Sequence, residues 1–283
     1  MRLSHLYQGT SLASPEVLPT GGTFNLCKLE YLMFKRAFAV AAALLAFNAQ
    51  AQVAGDLAFT SFNADEDGFS MVALADLAAN TTVYFADNEW SGSAFNSGES
   101  FSKWVSGASV ITAGTVIRFA AVDKTSPSAS VGTYARETVS GSANWGLSNS
   151  NETLYAYLGT SATTPTTFLA AVTNGDFAVD GSLAGTGLVQ GNTAIRLNAN
   201  TPSATPDYAV YNGVRSGLNS FGAYLPLVND PSNWTVDTTN GTYTTTVPDT
   251  TAFTAVVPEP ASYALMLGGL VLVGAIGRRR ASR

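Results

Sequence analysis

The chain has 283 residues with 14 Lys and Arg against 20 Asp and Glu, a formal net charge of −6; 46% of its residues are hydrophobic and 12% are charged. Its one His and one Cys are His5 and Cys27, so the chain beyond residue 27 has neither; Ser-His-Asp and Cys-His catalysis, ordinary zinc sites and disulfides are thereby excluded from that part. From Val53 to Val257 there are 12 Asp and 5 Glu against 2 Lys and 4 Arg, a net charge near −11, and nucleic acid is disfavoured as a partner because phosphate backbones are held by clustered Lys and Arg.

Residues 1–32 mix Pro15, Pro19 and Gly21-Gly22 with scattered charges and show no sustained periodicity. They read as a mis-called leader, with Met33 as the expected true start, or as an extended n-region of the signal peptide that follows. Residues 33–51 have the layout of a signal peptide. Lys35 and Arg36 are basic, Ala37 to Phe47 is an apolar run, and Ala49-Gln50-Ala51 is a small-x-small site that places cleavage before Gln52. The export machinery expected as a partner is Sec.

The body, residues 52–256, is rich in Thr, Ser, Gly, Asn and Ala, with short β-branched and aromatic runs. Alternation predicts strands at Leu57 to Phe62, Phe69 to Leu77, Thr81 to Asp87, Thr115 to Val122, Glu152 to Leu158, Ala194 to Leu197, Asp207 to Tyr211 and Thr242 to Val247. Asp67-Gly68, Asn174-Gly175, Asp180-Gly181, Asn212-Gly213 and Asn240-Gly241 supply turns, since these pairs tolerate positive φ. The predicted class is all-β: an antiparallel β-sandwich body, with an N-terminal signal helix and a single C-terminal transmembrane helix. Phe59-Thr60-Ser61-Phe62-Asn63, the run Tyr84 to Trp90, and Gly98-Glu99 ahead of Trp104 resemble a secreted bacterial domain of the lamin-tail-like, immunoglobulin-like kind, over Asp56 to Phe119. That resemblance implies an accessory adhesion or binding module.

Four constellations bear on chemistry. Asn63, Asp65 and Asp67 ahead of Gly68 match the first half of a calcium loop, although the twelfth position, normally Glu, is Leu74. The choice lies between a low-affinity calcium site and a solvated acidic hairpin turn. Asp87, Glu89 and Glu99 fall near Trp90 and Trp104, the ingredients of glycoside cleavage if two carboxyls share a site. Trp90, Trp104, Trp145 and Trp234 could stack on sugars or pack in the core. Ser100 and Lys103 also fit a Ser-x-x-Lys pattern, which in penicillin-recognising enzymes needs a helix.

The last stretch, residues 257–283, has three parts. Val257-Pro258-Glu259-Pro260 stays extended because its prolines lack N–H donors. Residues 261–277 carry no charge and reach roughly 25 Å as a helix, the lower limit of a bilayer span. Arg278, Arg279 and Arg280 open the basic tail 278–283, which by the positive-inside tendency stays cytoplasmic and leaves the body outside. Motif, span and basic cluster in this order resemble the PEP-CTERM sorting signal of Gram-negative exopolysaccharide-producing bacteria. The resemblance implies that a multi-spanning exosortase reads the Pro-Glu-Pro, cuts near it and passes the body to the cell surface. The expected protein is therefore an exported surface or matrix component without a catalytic role or cofactor. It would be held transiently in the inner membrane with its body in the periplasm, and would meet exopolysaccharide outside. The alternative is a carbohydrate-binding module assisted by calcium.

Overall fold

A computed structural model describes residues 51–256 and Gly269. Twelve strands in this region make two sheets. In chain order they are β1 (Leu57–Asn63), β2 (Gly68–Ala73), β3 (Thr82–Ala86), β4 (Phe101–Val105), β5 (Val116–Ala120), β6 (Ser128–Ala129), β7 (Thr133–Glu137), β8 (Thr153–Ser161), β9 (Thr164–Thr173), β10 (Ala194–Arg196), β11 (Tyr208–Tyr211) and β12 (Trp234–Val236). A 3-10 turn, Phe221–Tyr224, leads into the single-turn helix α1, Leu225–Val228. The first sheet runs β12-β11-β1-β2-β5-β6 and the second β10-β9-β8-β3-β4-β7.

The β1–β2 hairpin closes through Asp67, whose φ of 53° supplies the left-handed step expected of Asp-Gly. Gly68 serves a different end. A Cβ there would sit 2.9 Å from the Phe119 carbonyl on β5.

Side chains of the two sheets interleave. Phe69 of β2 and Phe119 of β5 stack at 4.7 Å, and Phe85 of β3 lies 5.0 Å from Phe69 and 5.2 Å from Phe119. Trp104 of β4 meets Phe119 edge-on at 5.7 Å. A second core covers the other face of the second sheet, where Phe101, Tyr155, Tyr157 and Phe168 pack under Trp90 and Phe95 from the loop after β3. With both faces buried, this sheet gives little polar alternation.

Two expectations need correction. The body is not wholly antiparallel, because β10 pairs with β9 in parallel through Ala194↔Ala171. Residues 174–193 form the long crossover that a parallel pair requires. Residues 242–247 are not a strand. Tyr243 is held by side chains instead: its N–H donates to the Asp65 carboxylate at 2.6 Å, its carbonyl accepts from Asn63 Nδ2 at 3.0 Å, and its ring stacks on Tyr208 at 4.3 Å.

Among the described residues no helix is long and apolar enough to cross a membrane. The predicted signal helix lies outside the described residues, as does the span 261–277 apart from Gly269, which is helical.

Candidate functional site

The best-defined chemistry suggested by the sequence is peptide processing at the C-terminal end of the body, so the site is built outward from the last described strap, residues 249–256. Asp249 starts it by accepting the Thr251 N–H at 2.8 Å, an Asx turn. Arg215 clamps this turn. Its Nε pairs with Asp249 Oδ2 at 3.1 Å, and its Nη1 and Nη2 donate to the carbonyls of Thr251 and Asp249 at 3.0 and 3.2 Å.

Phe253 then enters the core with 2% of its surface exposed, stacked on Tyr211 at 5.7 Å and edge-on to Tyr224 at 5.1 Å. Gly114 makes room for it, since a Cβ at its φ of 91° would run into the Phe253 carbonyl. Tyr224 ties the strap from below, its hydroxyl donating to the Thr254 carbonyl at 2.7 Å and accepting the Leu218 N–H at 3.2 Å. The Val256 N–H finally donates to the Leu218 carbonyl at 2.7 Å. Nothing in the sequence pattern singles out Arg215, Gly114, Tyr224 or Phe253. The sole hint is that Arg215 is one of only four arginines in the body.

Val257, Pro258, Glu259 and Pro260 lie outside the described residues, as do Arg278, Arg279 and Arg280. Ala49 at the other end is outside them too. Ala51 is exposed, and Gln52 is the first buried one among the described residues, its amide donating to the Asp76 carbonyl at 3.1 Å.

The suggested calcium ligands are engaged elsewhere. Asn63 Oδ1 accepts the N–H groups of Asp65 and Glu66, both at 3.1 Å, and Asp65 holds Tyr243. Asp67 Oδ1 accepts the Leu147 N–H at 2.7 Å. Burial, then the nearby Asp123 carboxylate, pushes the Asp67 carboxyl up to about 6. Among the described residues no group of three or more His, Cys, Asp or Glu is arranged to hold a metal.

Three of the four tryptophans are core residues. Trp104 is 0%, Trp90 7% and Trp234 8% exposed, and their Nε1 atoms donate to the carbonyls of Val131, Ala184 and Val228. With their faces covered they offer no platform to a sugar. Trp145 is half-buried, and the Arg136 guanidinium lies over its ring at 4.8 Å.

The carboxylates near these rings gather at one end of the second sheet. Asp87, just after β3, accepts the Ser100 N–H at 2.6 Å and the Ser100 hydroxyl at 2.8 Å. Glu152, just before β8, accepts the Ser148 N–H at 2.9 Å. Burial pushes Asp87 up to about 7, and burial followed by Glu89 does the same to Glu99. Glu152 is raised well above the usual range by burial and then by Asp87. The cleft beside them, about 310 Å³, is lined by Trp90, Ser91, Asn96, Val179 and Ser182, with Glu89 as its one acidic group. That carboxylate is bonded to Asn96. Ser100 directly precedes β4 and Lys103 stands in its middle, neither on a helix, and Ser100 is already bonded to Asp87.

Comparison with protein families decides the reading of the C-terminal end: residues 256–281, beginning at the last residue of the strap, match the model of the PEP-CTERM protein-sorting motif. The chain carries a PEP-CTERM sorting motif. The PEP-CTERM match implies export, a membrane-anchored precursor and processing by an exosortase. No curated protein and no solved structure matches the chain.

Proposed function

We propose that this PEP-CTERM protein is an exosortase substrate whose body is a non-catalytic component of the cell surface or extracellular matrix in an exopolysaccharide-producing bacterium. In this reading the signal peptide 33–51 takes the chain through Sec, and the run 261–277 holds it in the inner membrane with residues 52–256 in the periplasm. Exosortase then acts near Pro258-Glu259-Pro260, and the acidic sandwich moves outward. Residues 1–32 take no part.

The observation that carries the proposal is the junction: the strap bonded into the body reaches Val256, where the PEP-CTERM match begins. In sequence the processing signal therefore follows directly on the strap that Phe253 anchors. The absence of His and Cys from the body supports the non-catalytic part. The carbohydrate-binding alternative is weakened by the burial of Trp90, Trp104 and Trp234, and its calcium-assisted form by the engagement of Asn63, Asp65 and Asp67.

Fractionation of cells with and without the exosortase tests the proposal. The body is expected at the surface or in the medium when the enzyme is present, and in the inner membrane when it is absent. A body soluble in the periplasm in both strains would contradict sorting.

A further inference from the structure

The residues just upstream of the processing motif are not free. Phe253 N–H donates to the Gly114 carbonyl at 2.8 Å, Thr254 N–H to the Arg215 carbonyl at 2.8 Å, and Val256 N–H to the Leu218 carbonyl at 2.7 Å, with Ala255 and Leu218 bridged in parallel. In sequence only Val257, Pro258, Glu259 and Pro260 separate this strap from the apolar run at Ala261. Four extended residues reach at most about 14 Å, less than the width of the folded body, so an enzyme at the membrane meets the motif with the body directly beside it.

The four linking residues are also poor in backbone donors. Pro258 and Pro260 have no N–H, which leaves those of Val257 and Glu259. Binding an extended peptide as an added strand uses N–H and C=O groups over several residues. The next donors available lie upstream, and those of Phe253, Thr254 and Val256 are engaged within the body.

We propose that Phe253–Val256 is the upstream recognition strand for the processing enzyme, and that it exchanges its bonds to Gly114, Arg215 and Leu218 for bonds to an exposed strand edge of that membrane-bound, peptide-cutting partner. This inference rests on the reading that the chain is processed by an exosortase. Body and enzyme then compete for one strand, and leaving the Phe253 pocket is the step that limits conversion.

A pulse-chase of the full-length chain in exosortase-bearing cells tests this with four forms: the natural chain, Phe253→Ala, a chain with eight Gly and Ser residues inserted between Val256 and Val257, and the two changes combined. Phe253→Ala weakens the strap, and the insertion supplies free donors and reach while leaving the folded body untouched. Both are expected to convert severalfold faster than the natural chain, and Phe253→Ala added to the insertion is expected to give no further gain. Conversion of all forms at one rate, or slower conversion of the insertion form, would overturn the recognition-strand inference while leaving processing intact. No conversion of any form would overturn the processing reading and the inference with it.

Discussion

The guanidinium of Arg215 lies over the ring of Phe253, 5.0 Å from its centroid, while pairing with Asp249 four residues upstream of that ring. One side chain thus covers the apolar anchor of the terminal strap and closes the turn that delivers it. Arg215→Ala removes the cation–π contact and the bonds to Asp249 and Thr251, and is expected to destabilise the body by about 1–3 kcal/mol, seen as a lower Tm. An unchanged Tm would mean that the strap is not part of the cooperative unit.

The carboxyls at the end of the second sheet give the body a pH dependence of definite sign. Asp87 and Glu99 are raised to about 7 from ordinary values of 3.8 and 4.5, and Glu152 is raised as well. The folded state therefore binds more protons than the unfolded one between about pH 4 and 7. Their contribution is fully present below the unfolded values and is lost as pH rises through that window. The Tm is expected to be higher at pH 5 than at pH 8, and Asp87→Asn with Glu152→Gln should flatten the difference. A Tm that climbs from pH 5 to 8 would refute this assignment.

Tryptophan fluorescence checks the placement of the rings. Trp104, Trp90 and Trp234 are buried and Trp145 is half-buried, so a water-soluble quencher should reach only Trp145, and Trp145→Phe should abolish most of the quenching. Trp104→Ala is expected to cost about 3–5 kcal/mol by emptying the space between the sheets. Sugar-dependent changes in the emission of two or more tryptophans would argue for the binding-module alternative.

Calcium is expected to leave the melting temperature unchanged at millimolar concentration, because Asn63, Asp65 and Asp67 hold backbone N–H groups of their own and of distant segments. Asp67→Ala should instead lower the Tm without calcium, through loss of the bond to Leu147. A calcium-dependent rise in Tm that Asp67→Ala removes would restore the metal reading.

Much of the fold is legible in the residues, and what is not has physical causes. β1, β2, β3, β5, β8, β10 and β11 all fall within or overlap the runs marked by alternation, and the Asp67 turn follows from Asp-Gly chemistry. β9 is hidden because Phe168 and Ala171 feed one core while Leu169 and Val172 feed the other, so residues 168–172 are apolar without alternation and follow a polar Thr-Pro-Thr-Thr. β4, β6, β7 and β12 fall outside the runs marked by alternation and are defined by their pairing with neighbours. At the C-terminal end the motif is written locally, in Pro258-Glu259-Pro260 and the run that follows. The strap that presents it is written in tertiary contacts, with Arg215 clamping a carbonyl 36 positions away, and no local pattern encodes such a pair.

The measurement that bears most directly on the account is the intact mass of the body recovered from cells that contain the exosortase. The account predicts a chain that begins near Gln52 and ends between Val256 and Ala261, without residues 261–283, and predicts that this form disappears when the exosortase is removed. A body that retains the run 261–277 and the arginines Arg278, Arg279 and Arg280 in exosortase-bearing cells would contradict it.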